Sequence, residues 1–85
     1  MNITDVCNSL FNNKQLYAKR EDWDDGETIC IMQIGWASQY NRTKTTKEKN
    51  DPSNFYIEHI KNNRLCGPAG FSIDDILAND WGIVE

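Results

Sequence analysis

The last eighteen residues of the chain, from Pro68-Ala69-Gly70-Phe71-Ser72 through Asn79-Asp80-Trp81-Gly82-Ile83-Val84-Glu85, constrain its fold more than any other stretch. Ser72 can cap the amides of a first helical turn, and Asp75 stands three residues later, where a carboxylate reaches back to the cap. Phe71 before the cap and Ile76 inside the helix have the spacing of a hydrophobic staple. Asn79 is a stop signal, after which Trp81 and Ile83 fall on one side of an extended segment. A short capped helix must therefore run straight into a closing strand.

The rest of the chain reads as helix and strands in alternation. Ile3, Val6, Cys7, Leu10 and Phe11 recur at helical spacing, with Asn2 or Thr4 as cap and Asn12-Asn13 as exit. Gln15 to Arg20 alternates, with Leu16 and Ala18 on one side and Tyr17 and Lys19 on the other. Asp24-Asp25-Gly26 marks a turn. Thr28 to Ile34 is apolar on both faces, which predicts a central strand covered on both sides. Asn54 to Lys61 is a further strand, Asn62-Asn63 turns it, and Arg64 to Cys66 returns as its hairpin partner. The segment from Ala37 to Ser53 is polar and reads as a long loop. The expected fold class is α+β, a mostly antiparallel sheet of about five strands with two short helices, in one small domain spanning residues 1–85.

Composition narrows the function classes. A chain of 85 residues buries a limited share of its surface, and association with further copies is one common remedy. Hydrophobic content of 39% argues against disorder. No apolar run is long enough to span a bilayer and no signal segment opens the chain, so a cytoplasmic protein without membrane contact is expected. Two glycosylation sequons, at Asn2 and Asn41, carry no meaning without secretion. Cys7, Cys30 and Cys66 are widely spaced among apolar neighbours and read as buried small hydrophobes. With His59 the only histidine, no metal or cofactor site is supported.

A net charge of −4 disfavours a nucleic-acid polymer as partner. The charge is laid out unevenly, however. Glu21, Asp22, Asp24, Asp25 and Glu27 crowd one turn, and Arg42, Lys44, Lys47 and Lys49 crowd another. Each cluster is a solvated loop on its simplest reading. The basic one could also attract a small anion, or pack on the acidic turn of a neighbouring copy.

Catalysis finds little support. A serine or cysteine nucleophile needs a base, and His59 shares its strand face with Phe55 and Ile57 in a structural setting. The pairs Asp74-Asp75 and Asp24-Asp25 do not converge, because neighbours on a helix diverge and those in a turn are solvated. There is no phosphate-cradling glycine motif. Binding is better served. Arg20, Arg42 and Arg64 are guanidinia suited to phosphate, and Trp23, Trp36, Tyr40, Phe55, Tyr56 and Phe71 are flat surfaces on which a base can stack. Each has a plainer role: Arg20 can pair with Asp22 or Asp80, Trp23 and Trp81 can be packing, and Ser72 caps a helix regardless.

Two motifs carry a resemblance. Pro68, Ser72, Asp75, Leu77, Ala78, Asp80 and Trp81 resemble the C-terminal signature of a family of small phage and prophage proteins, which ends in a proline, a serine, an aspartate, then Leu-Ala-x-Asp-Trp. The family includes the second class of Thoeris anti-defence proteins. Near the N-terminus it shows a short amphipathic helix and then a strand ending in Arg-x-x-Trp, here Arg20-Glu21-Asp22-Trp23. The chain departs from the pattern at Ala69, where members usually carry tryptophan. It departs again at Asp24-Asp25, which separate Trp23 from its glycine. Residues 36–53 match no family feature.

The resemblance implies a phage-encoded sponge, not an enzyme. Such a protein binds a cyclic nucleotide immune signal without cleaving it, either glycocyclic ADP-ribose or a cyclic di- or oligonucleotide. It also implies a homo-oligomer, dimer or tetramer, in the cytoplasm of the infected host. Matching ligand chemistry to residue types assigns Arg20 and Arg64 to phosphate, Trp23 and Phe55 to stacking, and Asn54 and Ser72 to polar contacts. Arg42, Lys44 and Lys47 would close over the anion. Two rivals stand beside this reading. One is a protein-protein inhibitor of a host defence protein, with the acidic turn at Glu21 to Glu27 as its contact surface. The other is a small hydrolase of the same signals.

Overall fold

Helix α1 (Ile3–Asn12) begins where Asn2 Oδ1 accepts the Asp5 amide at 2.8 Å. It ends where Asn13 donates to the Ser9 carbonyl. Val6 and Leu10, one turn apart, are both fully buried and form the stripe that docks on the sheet. The computed structural model describes residues 1–34 and 51–84. The expected readings of Trp36, Tyr40, Arg42, Lys44, Lys47 and Lys49, and of most of the 37–53 loop, lie outside the described residues.

The strands are β1 (Tyr17–Arg20), β2 (Thr28–Gln33), β3 (Phe55–Lys61), β4 (Arg64–Pro68) and β5 (Trp81–Val84), with a short 3-10 turn at Pro52–Asn54 and helix α2 (Ile73–Leu77) before β5. They form one sheet in the order β4-β3-β2-β1-β5, every pairing antiparallel. The expected fold class holds. β2 is the middle strand, and its first three residues are buried on both faces, in line with its two-sided apolar composition. The β3–β4 hairpin turns at Asn62 and Asn63, both at positive φ, the backbone that a two-residue hairpin requires and asparagine tolerates. Gly26 sits under this tip. A side chain there would come within 3.3 Å of the Asn62 Cα, and the Gly26 carbonyl accepts the Asn63 amide.

Register assigns the faces. Ala18 pairs with both Ile29 and Ile83, and Ile29 pairs with His59. These residues therefore share one face with Trp81 and with its cross-strand partner Arg20. On this face α1 packs, and Val6, Leu10, Ala18, Ile29 and Trp81 form the core. Each of the large fully buried side chains Leu10, Ile29 and Val6 contributes about 1.5–3 kcal/mol. The expectation for the cysteines is corrected in part. Cys30 is buried and Cys7 half-buried, but Cys66 is exposed, because β4 lies at the edge of the sheet where little covers it.

The N-terminus lies alongside the start of β5. The Met1 amino group donates to the carbonyls of Asn79 and Trp81, and the Trp81 amide donates to the Met1 carbonyl. The two sequence motifs, distant along the chain, meet here.

Candidate functional site

The meeting point is organised by Arg20. Its Nε donates to Asp80 Oδ1 at 2.9 Å, and its Nη1 to Asp74 Oδ2 and Asp75 Oδ1 at 3.0 Å each. The hydrogen bond to Asp80, then those to Asp74 and Asp75, hold the guanidinium firmly protonated. Arg20 lowers the Asp80 carboxyl below its usual range, chiefly by that hydrogen bond. Burial pushes the Asp75 carboxyl upward, but the hydrogen bonds from Arg20 and Ser72 outweigh it and the net displacement is downward. Asp75 also completes the expected capping box. Its amide donates to Ser72 Oγ, and its Oδ2 accepts the Ser72 amide, both at 3.1 Å.

Trp81 lies beneath this network, 2% exposed. Its indole N–H donates to the Asp75 carbonyl at 3.0 Å. Trp23 stands edge-on to it at 5.0 Å between ring centroids, and Phe71 does the same at 5.7 Å. Phe71 thus turns toward Trp81, while Ile76, its expected staple partner, is 43% exposed. Trp23 is held in turn by its amide on the Arg20 carbonyl and by Lys19 Nζ on its own carbonyl.

Between these elements is a cleft of about 160 Å³, lined by Trp23, Glu27, His59, Ala69, Gly70, Phe71 and Asp75. His59 reaches it from β3, its ring 5.5 Å from that of Trp23 and its Nε2 3.0 Å from Glu27 Oε2. The opposite wall depends on the end of β4. Gly67 adopts φ +102, a left-handed conformation that suits glycine. Its N–H donates to the carboxylate of Glu58, which is 3% exposed and also accepts the Tyr56 hydroxyl. The Ala69 amide then donates to the Ile57 carbonyl at 2.8 Å, which sets Ala69 and Gly70 against the cleft.

The six residues assigned from sequence fall into separate places. Trp23 lines the cleft, and Ser72 and Arg20 hold Asp75, which lines it too. Arg64 opens β4 directly opposite Lys61. Lys61 lies two residues beyond His59 on the same face of β3, and both cations are exposed. Phe55 and Asn54 are at the other end of β3. Phe55 packs edge-on against Phe11 at 5.4 Å, with Lys14 Nζ 4.8 Å from its ring, and lines a separate groove of about 240 Å³ with Cys7, Asn8 and Tyr56. The Asn54 carbonyl accepts the Ile34 amide. The sequence did not point to Glu27 or Lys61 as site residues, and it gave His59 a structural or surface role. The two-residue Asn62-Asn63 turn was the available signal for Lys61, since it fixes Lys61 opposite Arg64.

A small α+β domain whose two motif-bearing ends are tied together through Arg20 and Trp81, beside an aromatic cleft, is what sequence and structure define jointly. The chain belongs to the Tad2-like family: the model of the Thoeris anti-defense 2-like domain matches residues 1–84. Membership carries an anti-defence role. No curated protein and no solved structure gives a significant match. Among the described residues no helix is long and apolar enough to cross a membrane.

Proposed function

We propose that the chain exerts its anti-defence role as a sponge, sequestering a cyclic nucleotide immune signal, glycocyclic ADP-ribose or a cyclic di- or oligonucleotide, without cleaving it. The observation that carries this reading is the Lys61–Arg64 pair beside the Trp23–His59 cleft. Like charges directly opposite each other across two strands are unfavourable. Among the described residues no carboxylate forms an ion pair with either cation. A phosphate bound between them removes that cost, while a base enters the cleft against Trp23, Phe71 and His59. Stacking of this kind contributes roughly 1–3 kcal/mol per base.

The reading assigns different work to the two arginines. Arg20 already serves three carboxylates, so a phosphate would have to displace them, and its role is to position Asp75 at the cleft. Among the described residues, Arg64 is the guanidinium left for the ligand. Ser72 is committed to its cap and acts at one remove. Phe55 stands roughly 13 Å from His59 along β3, at about 3.3 Å per residue, and Asn54 lies one residue further, just before the strand. They serve a second ring only if the ligand or a neighbouring copy spans that distance.

Size bears on assembly. Pockets that enclose a small molecule hold about 300–1,000 Å³, and the cleft holds about 160 Å³. One chain thus encloses about one ring of a nucleotide, and enclosure of the whole calls for a homo-oligomer. Thermal-shift and calorimetric titration with glycocyclic ADP-ribose and a panel of cyclic dinucleotides tests the proposal. Binding of one of them, with intact nucleotide recovered after the protein is denatured, is the expected result. A cleaved product would assign the protein to hydrolysis. No response to any nucleotide, with a stoichiometric host protein retained through the acidic turn, would replace the proposal by the inhibitor reading.

A further inference from the structure

His59, the only histidine of the chain, stands between the two halves of the site. Its Nε2 is 3.0 Å from Glu27 Oε2, and its ring is tilted by 36° against that of Trp23 at 5.5 Å. Along β3 it precedes Lys61 by two residues on the same face, a separation of roughly 7 Å, and Arg64 stands opposite Lys61. Imidazole is the side chain whose charge ordinarily changes between about pH 5 and 8.

The charged and titratable groups around it come from four elements. Glu27, just before β2, pairs with no other cation among the described residues. Asp75, from α2, lines the same cleft but is committed to Arg20 and to the Ser72 amide. Lys61 comes from β3 and Arg64 from β4, and both are exposed. The Cys66 thiol, also on β4, is turned to the Arg64 carbonyl.

The two signs act on the ring in opposite directions. A carboxylate at 3.0 Å favours the imidazolium, and two neighbouring cations disfavour it. An anion bound between Lys61 and Arg64 cancels the second influence and leaves the first. The added proton then has a defined place. An ionised carboxylate only accepts hydrogen bonds, so in the neutral ring the hydrogen sits on Nε2, toward Glu27. Nδ1 is the nitrogen that gains one.

We infer that the chain takes a proton from solvent onto His59 Nδ1 when it binds a phosphate ligand, so that capture strengthens as the pH falls. The linkage is reciprocal: a proton that tightens the anion is itself tightened by the anion. This rests on the reading that phosphate docks at Lys61 and Arg64, but not on which nucleotide supplies it. Carboxylates, lysines and arginines ordinarily keep their charge between about pH 5.5 and 8, so the response in that window belongs to the one imidazole.

A single histidine makes the test direct. The Cε1–H resonance of His59 is followed by NMR from about pH 5 to 8.5, in sodium chloride and in sodium sulfate of equal ionic strength. Sulfate here stands in for a phosphate group of fixed charge. The titration midpoint should lie about half a pH unit higher in sulfate, the influence of a screened unit charge at that separation. In Arg64→Ala the chloride midpoint should already be raised and the response to sulfate reduced. In Glu27→Gln the chloride midpoint should fall. Equal midpoints for the wild type in the two salts overturn the inference, as does a lower one in sulfate. For a cyclic nucleotide that binds, affinity should rise about threefold from pH 8 to pH 5.5, and His59→Gln should abolish the rise. A flat wild-type profile likewise overturns the inference. If sulfate raises the midpoint while no nucleotide binds, the sponge reading fails and the proton-linked anion site stands.

Discussion

Arg20 and Asp80, sixty residues apart in sequence, meet through a 2.9 Å hydrogen bond from Nε to Oδ1, and this contact ties the first strand of the chain to the approach to its last. Around it three carboxylates share one guanidinium. Removing the cation leaves Asp74, Asp75 and Asp80 repelling one another at the start of α2 and β5. Arg20→Met, which keeps the aliphatic stem, should lower the melting temperature by several degrees. Lys19→Ala, which loses a pair with the exposed Asp25 and one hydrogen bond to the Trp23 carbonyl, should change it less. Equal effects in a thermal melt would remove Arg20 from its organising role.

The same network sets an acid dependence. Asp75 and Asp80 are displaced below their usual 3.8. A carboxyl depressed on folding contributes stability that is complete above its unfolded pKa, about 4, and is lost as the pH falls through its folded value. Melting temperature should therefore be insensitive to these groups from neutrality to about pH 5 and fall below about pH 4. In Arg20→Met that acid limb should flatten. Superimposable pH profiles for the two proteins would show that the loss arises elsewhere.

Trp81 joins packing to polarity. Trp81→Phe keeps most of the ring but leaves the Asp75 carbonyl without its indole donor, at a cost of about 1–2 kcal/mol. Trp81→Ala also opens a cavity in the centre of the core, at about 3–5 kcal/mol, enough to unfold a domain of this size. Urea denaturation of both variants would distinguish these outcomes.

Glu58 is buried away from any cation among the described ion pairs, and its carboxylate accepts the Gly67 amide and the Tyr56 hydroxyl. Glu58→Leu leaves both donors without an acceptor, a loss of about 2–3 kcal/mol. Glu58→Gln keeps an acceptor oxygen and should recover much of it. A leucine variant as stable as the wild type in urea would show that these hydrogen bonds carry no net stability.

Binding should separate from folding at the cleft rim. Trp23→Ala should weaken nucleotide binding by about 10–100-fold if one stacked base is lost. Arg64→Ala and Lys61→Ala should weaken it at unchanged melting temperature, because among the described residues neither cation holds a carboxylate. Lys14→Ala, at the far end of the sheet face, is the control. Titration calorimetry reporting equal losses for Arg64→Ala and Lys14→Ala would move the phosphate site away from the β3–β4 hairpin.

Local chemistry made much of the fold legible. The Ser72–Asp75 capping box, the Asn2 cap and the Asn62-Asn63 hairpin depend on groups within a few residues of one another, and each stands where the spacing puts it. Alternation placed Ala18 with Leu16, and Trp81 with Ile83, on one side of their strands. The site was less legible because its parts come from different strands. Phe55 and Trp23 read alike as flat surfaces, yet they lie at opposite ends of the sheet face. Cys66 reads like Cys30, yet one lies on an edge strand and the other in the middle.

Sequence alone determined the elements, their caps and turns, and the family signature, because these rest on interactions of short range. Tertiary structure alone decided that Arg20 is consumed by three carboxylates, that Lys61 and Arg64 are left exposed together, and that β5 is an edge strand. The physical reason is that a charge or a strand edge takes its meaning from what is placed beside it, and strand order is set by packing across the whole chain.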